Sequence, residues 1–315
     1  MHWNSDSVVL HRPDQDTIYC ASECKKSNRK FYQHLAKILA KDGNNVLTVE
    51  DPLPSIWLRD YFPTFVDGKF VRFDPCLDYM NEEQSVLYDE FNFDQIKKYL
   101  NKAKIKNCDL TLDGGNVVFN ETHIITTEKV FQDNRKLSKR EIEKRIRDAF
   151  NGRKVIYIRT ESKKYDPVGH SDGIVNFLDN DTLLMADYRS VNKRLHSHNI
   201  KLLHDIFNVV ILPQYFVESI TAIDEKHEWY DIEGCYVNFI GTKNSLVFSK
   251  FPRKDYNDEV KELIKKHDTL GRKLHFVDTS QVTRYGGGLH CISMDYSAVG
   301  TLAPKAKKKR FFVCI

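Results

Sequence analysis

The sequence predicts an α/β fold, specifically a fivefold pseudosymmetric α/β propeller built from ββαβ-like repeats. Three observations predict it. Five short strand–turn–strand patterns recur along the 315 residues, amphipathic helical segments separate them, and further short apolar strands follow the helices. One aromatic or methionine residue in each pattern occupies an equivalent position, at intervals of 54, 58, 62 and 55 residues: Phe65, Phe119, Phe177, Phe239 and Met294. A nearly constant interval with one supersecondary unit per period is typical of radial or stacked repeat folds.

Each hairpin is recognised by two short apolar runs that flank a turn of the Asp-Gly or Asn type. The clearest turn is Asp67-Gly68, which connects 59–66 to 69–73. The other predicted hairpins cover 115–126, 173–185 and 236–248, and the recognisable strand of a fifth covers 288–294.

Amphipathic helices are predicted between the hairpins. In the segment 138–150, Ile142, Ile146 and Phe150 recur every four residues among Lys, Arg and Glu, which places them on one helical face. The other predicted helices cover 28–41, 91–100, 192–207 and 255–267, and the additional strands cover 46–49, 155–158, 209–212 and 274–277.

These repeats predict one catalytic α/β-propeller domain over residues 1–315. Its basic C-terminal tail, residues 303–315, has no role that the sequence indicates. The alternative is an ordinary α/β sheet in which hairpins recur by chance.

The composition argues against several classes of partner. The formal net charge is +4, but the segment 305–310 supplies five positive charges, so the rest of the chain carries −1. A nucleic-acid partner is not expected, because a nucleic-acid binder carries basic charge on its folded body. No apolar run approaches the roughly 20 residues that a membrane-spanning helix requires, so no membrane partner is expected either. The N-terminal residues lack the basic and apolar regions of a secretory signal, which favours a cytoplasmic location. The sequence leaves open whether the protein forms a homo-oligomer.

The cysteines and histidines do not indicate a structural metal or a disulfide framework. The seven cysteines are few, odd in number and scattered. The sequence contains no CxxC pair and no HExxH motif. We therefore expect no metal and no other cofactor.

Reactive side chains share one position in the five repeats, just before the aligned residues. If five units surround an axis, equivalent positions meet near its centre. The residues at this position are Asp60, Asp113, His170 with Asp172, Tyr236 with Asn238, and Cys291. The repeat therefore predicts a pocket with three carboxylates, a histidine and a cysteine.

Cys291 is the candidate nucleophile of this pocket. It follows three successive glycines, 286–288, which weaken a strand unless the backbone must approach a ligand closely or adopt positive φ. A free thiol has a pKa of about 8.5 and needs a neighbouring cation to ionise. We interpret the other six cysteines as small apolar residues without catalytic function.

A guanidinium group is the ligand that suits these residues. It is planar and always cationic, so two carboxylates can hold its edges by charge-assisted hydrogen bonds while a thiolate attacks its carbon. The imidazole of His170 can donate a proton to the leaving nitrogen and later accept one from water. The predicted reaction is a hydrolytic deimination that releases ammonia through a covalent thiouronium intermediate.

Five segments carry a resemblance to a known family, and they are 57–63, 112–116, 169–173, 236–239 and 286–291. In this order they resemble the agmatine deiminase and bacterial peptidylarginine deiminase family of the guanidino-group-modifying, or pentein, superfamily. The resemblance implies that Cys291 is the nucleophile, that His170 is the general acid and base, and that Asp60 and Asp172 hold the guanidinium. It also implies substrate-binding residues, namely Trp57, Asp113, Asn238 and Gly288.

Two departures from the family pattern bear on the substrate. Asp113 stands where the agmatine enzymes usually have Glu, and Val168 stands where they usually have an acid, with Asp166 two residues earlier. Agmatine is the first choice of substrate, giving N-carbamoylputrescine and ammonia, and peptidyl or free arginine is the alternative. Amidino transfer to an amine and a non-catalytic propeller that binds a partner are the competing functions.

Overall fold

The structure is a computed structural model. It describes residues 15–51, 53–80, 82–91, 93–100, 105–162, 166, 168–218, 220–222 and 228–296. The basic tail predicted at residues 303–315 lies outside these ranges, as does Cys314.

Short strands dominate the described part of the chain. They are β1 (Thr17–Ala21), β2 (Asn45–Val49), β3 (Thr64–Val66), β4 (Lys69–Asp74), β5 (Ile105–Thr111), β6 (Val118–Phe119), β7 (His123–Thr127), β8 (Lys154–Ile158), β9 (Val175–Phe177), β10 (Thr182–Ala186), β11 (Asn208–Leu212), β12 (Ile220–Ala222), β13 (Glu228–Tyr230), β14 (Ile240–Gly241), β15 (Ser245–Lys250), β16 (Lys273–Asp278) and β17 (Ser293–Tyr296).

Helices fill the connections between these strands. They are α1 (Ser22–Ser27), α2 (Arg29–Lys41), α3 (Leu58–Tyr61), α4 (Glu82–Glu90), α5 (Phe93–Ile96), α6 (Lys129–Asp133), α7 (Lys139–Ala149), α8 (Lys193–Leu203), α9 (Lys254–His267) and α10 (Ser280–Thr283). Two short 3₁₀ turns cover Gly114–Asn116 and Ser171–Gly173.

The strands form five small sheets of three strands with one shared topology. Their orders are β3-β4-β5, β6-β7-β8, β9-β10-β11, β14-β15-β16 and β17-β1-β2, and β12-β13 form a separate pair. In each sheet the central strand pairs antiparallel with the first strand and parallel with the last. A parallel neighbour requires a crossover, which helices supply in all five sheets. The mixed α/β fold with five similar units is therefore confirmed.

The fifth sheet joins the two ends of the described chain. β17 pairs antiparallel with β1, where Thr17 lies opposite Tyr296, and β1 pairs parallel with β2. The strand β2 was predicted from the sequence, whereas β1 and β5 were not. The segment of β1 is a short, wholly buried run without the polar alternation that identifies a strand, and its antiparallel partner is remote in sequence.

Three segments that were predicted as strands have other conformations. Residues 59–62 belong mainly to the helical turn α3, residues 236–239 precede β14 instead of forming it, and residues 288–292 lie in the turn before β17. Every side chain of α3 is buried, and so is every side chain from 236 to 239. A strand would direct alternate side chains to opposite faces of a sheet, so burial of consecutive residues favours a turn or loop at these two positions.

Two predicted helices are also shorter than expected. Within 91–100 only α5 is an α-helix, followed by a turn, and α8 ends at Leu203 instead of continuing to 207. The helices over 28–41, 138–150 and 255–267 agree with the prediction within a residue at each end.

Local sequence signals explain where elements begin and turn. Helix α7 begins with a capping box, in which Ser138 Oγ accepts from Glu141 N at 3.2 Å and Glu141 Oε2 accepts from Ser138 N at 2.9 Å. Such a cap contributes about 1 kcal/mol. The β3–β4 hairpin turns at Asp67 and Gly68 with φ of 46° and 85°, the two positive values of a type I′ turn.

One apolar cluster holds α3 against the loop that carries Cys291. Leu58 of α3 packs in the same buried cluster as Leu289 and Ile292, which flank Cys291. The main chain adds a direct link, because Arg59 N donates to Cys291 O at 3.1 Å. None of the helices in the described ranges has the length and apolar character needed to cross a bilayer.

Candidate active site

The candidate residues precede the first strand of five different sheets. Asp60 lies in α3 before β3, Asp113 before the turn that leads to β6, His170 and Asp172 before β9, Asn238 before β14, and Cys291 before β17. These side chains therefore occupy the equivalent positions that the repeats predict. Hydrogen bonds and short distances connect them into one buried group.

The thiol of Cys291 lies between an amide and a carboxylate. Asn238 Nδ2 donates to Sγ at 3.2 Å, and Sγ lies 3.7 Å from Asp172 Oδ2. Burial raises the pKa of the Cys291 thiol well above its usual range, and the negative charges of Asp172 and Asp60 raise it further. The thiol is therefore neutral near neutral pH unless a cation enters the site.

Asn238 fixes the loop that carries the thiol. Its Oδ1 accepts from His290 N at 2.9 Å and from Cys291 N at 3.4 Å, while its Nδ2 also donates to Asp172 O at 3.3 Å. The Asn238 side chain thus connects the loops that precede β9, β14 and β17.

The three glycines before this loop are explained by positive φ and by close approach. Gly286 has φ of 84°. A Cβ atom on Gly287 would lie 2.2 Å from the Trp57 ring, and one on Gly288 would lie 2.5 Å from Asn238 Oδ1. Any larger residue at 287 or 288 would displace Trp57 or Asn238.

His170 is buried between two carboxylates. Its Nε2 lies 2.9 Å from Asp113 Oδ2, and its Nδ1 lies 3.5 Å from Asp60 Oδ1. Burial lowers the pKa of His170, but the two carboxylates outweigh burial and raise it to about 9. The imidazole is therefore protonated near neutral pH.

The two carboxylates beside His170 differ in their surroundings. Asp113 Oδ1 accepts from Cys76 N at 2.6 Å, and the bond with His170, together with the nearby Lys129, keeps the pKa of Asp113 below its usual range in spite of burial. Asp60 accepts from Tyr79 Oη at 2.5 Å and from Gly115 N at 3.1 Å. Burial raises the pKa of Asp60 to about 6, against the opposing effect of His170.

A cavity of about 40 Å³ opens onto this group, and acidic residues outnumber His170, the one cationic side chain among the described residues of its lining. Four carboxylates line it, namely Asp166, Asp172, Asp231 and Glu233, and no Lys or Arg does so among the described residues. His170, Asn238 and Cys291 also line it, together with the thiol of Cys235. The cavity suits a cationic ligand.

Four of the predicted site residues lie behind the cavity wall instead of lining it. Asp60 and Asp113 contact His170, Trp57 packs on Gly287, and Gly288 packs on Asn238. Of the predicted substrate-binding residues, only Asn238 lines the cavity.

Sequence reasoning missed two residues that hold the site together. His290 Nδ1 lies 2.7 Å from Asp172 Oδ2, and the Arg59 side chain donates to His290 O at 3.2 Å and to Asp295 Oδ1 at 2.6 Å. Both residues lie inside the matching segments, next to Cys291 and Asp60, and that adjacency was the available signal. In the described part of the chain, no cluster of three or more His, Cys, Asp or Glu residues could hold a metal ion.

The family model for Porphyromonas-type peptidyl-arginine deiminase matches residues 9–296. A relative from Listeria monocytogenes serotype 4b (strain F2365), provisionally named agmatine deiminase 1, is 23% identical over 292 residues, which cover 79% of this chain and 77% of the relative.

Solved structures share the fold at lower identity. Agmatine deiminase of C. jejuni superposes with a TM-score of 0.69 at 20% identity, covering 90% of this chain and 93% of its own. DDAH from Pseudomonas aeruginosa superposes with a TM-score of 0.55 at 13% identity, covering 89% and 98%.

Proposed function

The chain belongs to the family of Porphyromonas-type peptidyl-arginine deiminases, and we propose that it hydrolyses the guanidinium group of a small cationic substrate to a ureido group and ammonia. One observation carries the proposal. Cys291 Sγ lies 3.7 Å from Asp172 Oδ2 in an acidic cavity that His170 also lines. We further propose that the five sheets surround one axis as an α/β propeller, since that arrangement brings their five equivalent loops into one group of contacting side chains.

A bound guanidinium would supply the cation that the thiol lacks. Asp172 would accept N–H donors from one edge of the group, and Asp60 would add its negative charge from behind His170. The positive charge would offset the two carboxylates that hold the thiol neutral, so substrate binding itself would lower the pKa of Cys291.

The reaction then needs one nucleophile and one proton carrier. The thiolate of Cys291 attacks the guanidinium carbon and forms a tetrahedral adduct. His170 donates a proton to the leaving nitrogen from Nδ1, since Nε2 is held by Asp113. Loss of ammonia leaves an S-alkylthiouronium, and water adds to its carbon while His170 takes up a proton. Cleavage of the C–S bond regenerates the thiol and releases the ureido product.

Agmatine is the substrate that the cavity favours. The four carboxylates of the lining attract a second positive charge and repel the α-carboxylate of free arginine. The provisional name of the Listeria relative and the name of the C. jejuni structure point to the same compound. Deimination of peptidyl-arginine is the alternative that the family description favours.

A product screen tests this proposal. Agmatine, arginine, terminally arginylated peptides and methylated arginines are each incubated with the protein, and both ammonia and the ureido product are quantified. We expect the highest kcat/KM with agmatine, and loss of turnover with retained agmatine binding in Cys291→Ala. An amidinated amine in place of a ureido product would indicate amidino transfer.

Covalent labelling separates an enzyme from a binding module. A haloacetamidine resembles the guanidinium, and its positive charge beside Asp172 would lower the pKa of the Cys291 thiol. It should therefore alkylate Cys291 faster than Cys235, whose thiol donates to Gly173 O at 3.5 Å. Absence of any ureido product together with an unreactive Cys291 would refute the catalytic proposal.

A further inference from the structure

The turn at residues 77–80 contains a backbone outlier close to the buried histidine of the site. Leu77 has φ of 46°, a left-handed value that large side chains rarely adopt. Met80 N donates to Leu77 O at 3.0 Å and closes the turn. Such strain persists only where the surrounding structure imposes it, and it concentrates at functional sites. The 77–80 turn is therefore a candidate for a role in the reaction.

This turn and the residue before it reach both carboxylates that flank His170. Cys76 N donates to Asp113 Oδ1 at 2.6 Å, and Tyr79 Oη donates to Asp60 Oδ2 at 2.5 Å. The other oxygen of each carboxylate faces the imidazole. Asp113 Oδ2 lies 2.9 Å from Nε2, and Asp60 Oδ1 lies 3.5 Å from Nδ1. One short segment thus holds the outer oxygens and leaves the inner oxygens to His170.

The phenol of Tyr79 is the side-chain donor of this arrangement. Asp60 accepts from Tyr79 Oη on Oδ2 and from the main chain of Gly115 on Oδ1. Hydrogen bonds to a carboxylate favour its ionised form. Tyr79 therefore opposes the burial that raises the pKa of Asp60 to about 6.

Several titratable groups face Asp60 from the elements packed around it. They are His170 and Asp172 from the loop before β9, Asp113 from the loop before β6, Cys291 from the loop before β17, and Tyr61 from α3 itself. The charge of His170 favours ionised Asp60, and the charges of the two carboxylates disfavour it. Burial raises the pKa of the Tyr79 phenol, so Tyr79→Phe removes a neutral donor and leaves all of these charged groups in place.

We propose that Tyr79 is a positioning residue, which fixes Asp60 Oδ1 toward His170 Nδ1 and so keeps a proton on the imidazole atom that serves the leaving nitrogen. The inference rests on the proposed function, which assigns that proton transfer to His170. Without the phenol, the buried Asp60 Oδ2 would lack its donor, and the carboxyl group would bind a proton at higher pH. Protonated Asp60 would no longer stabilise the imidazolium, so the pKa of His170 would fall.

The pH dependence of kcat/KM with agmatine tests this role in Tyr79→Phe. The loss of a hydrogen bond to a charged group corresponds to a shift of about 1 to 2 pH units. Because wild-type Asp60 binds a proton near pH 6, we expect the fall on the acidic side of the profile to move upward by about that amount. The fall on the basic side, where His170 loses its proton, should move to lower pH, so the profile becomes narrower.

Tyr61→Phe is the matched control. Tyr61 follows Asp60 in α3 and is only 2% exposed, but its Oη donates to the main-chain Ser55 O at 2.7 Å. This substitution also removes a buried phenol oxygen next to the site, so any general effect on stability is reproduced while the pH profile stays that of wild type. An equal shift in both variants, or a uniform loss of activity without a shift in Tyr79→Phe, would overturn the proposal.

A measurement without substrate keeps this test separate from the reaction. Carbon-13 NMR of labelled histidine rings follows the titration of His170, whose signal is identified by its absence in His170→Asn, and the spectrum also reports correct folding. We expect a pKa near 9 in wild type and in Tyr61→Phe, and a lower pKa in Tyr79→Phe. That result supports the role of Tyr79 even if wild-type protein releases no ammonia from any guanidino compound, an outcome that would refute only the proposed function. The same His170 pKa in wild type and Tyr79→Phe would refute the role of Tyr79 even with turnover intact.

Discussion

The Nδ1 atom of His290 lies 2.7 Å from Oδ2 of Asp172, the same oxygen that lies 3.7 Å from Sγ of Cys291. One carboxylate oxygen is therefore shared by the nucleophile and by the imidazole of the preceding residue. Burial lowers the pKa of His290, and the neighbouring Arg59 lowers it further, so the imidazole donates as a neutral group. We infer that His290 is a positioning residue, which orients Asp172 toward the guanidinium.

Substitutions at His290 can separate its hydrogen bond from its bulk. The amide nitrogen of His290→Asn can replace Nδ1, whereas His290→Leu fills similar space without a donor. A hydrogen bond to a charged group is worth about 1.5–3 kcal/mol, so we expect His290→Leu to lower kcat/KM by about 10- to 100-fold and His290→Asn to retain most of it. Steady-state kinetics with agmatine checks this expectation. Equal losses in both variants, or a matching loss of thermal stability, would indicate a purely structural role.

The sequence predicts most of the fold because each repeat has a local signal. Hairpin turns such as Asp67-Gly68 and helices such as α7 have capping and turn residues that act over a few positions. The pairing of β17 with β1 has no such signal, because its two strands lie at opposite ends of the described chain. Closure of the fifth sheet therefore depends on tertiary packing, which single-sequence patterns do not report.

The group of candidate catalytic residues could be predicted for a similar reason, since these residues occupy equivalent positions in the repeats. Cys291, His170 and Asp172 lie together in the cavity wall as the repeat indicated. The position of Asp60 and Asp113 behind His170 could not be predicted, because the direction of a side chain within a loop depends on hydrogen bonds such as Tyr79 to Asp60. The left-handed φ of Leu77, in the turn that carries Tyr79, is visible only in the folded structure.

The pH dependence of kcat/KM should be bell-shaped. Asp60 must be ionised to attract the guanidinium, so activity should fall as pH decreases through about 6, where Asp60 binds a proton. His170 must be protonated to release ammonia, so activity should fall as pH increases through about 9, where it loses its proton. Kinetics with agmatine from pH 5 to 10.5, at pH values where the fold is intact, measures both limbs. A profile without either limb would contradict these assignments.

Lys129 should influence the pH at which kcat/KM falls on the basic side of the profile, which is called the basic limb here. Its Nζ lies 3.7 Å from Asp113 Oδ2, the oxygen that binds His170 Nε2. Its positive charge disfavours a second positive charge on the imidazole, so Lys129→Met should raise the pKa of His170 and move the basic limb to higher pH. Lys144→Met is the control, because Lys144 pairs with Asp148 on the exposed face of α7. An unchanged limb in Lys129→Met, or the same shift in both variants, would argue against this coupling.

The contact between Trp57 and Gly287 should tolerate no added methyl group. A Cβ atom at 287 would lie 2.2 Å from the ring of Trp57, a distance that forces the indole to move. Such overpacking costs about 1–3 kcal/mol, and we expect Gly287→Ala to lower the free energy of unfolding by that amount and to displace the loop that carries Cys291. Gly173→Ala is the matched control, since a Cβ atom there meets no other atom within 4 Å. Denaturant unfolding of both variants decides the question, and equal stability of the two would show that Trp57 has room to relax.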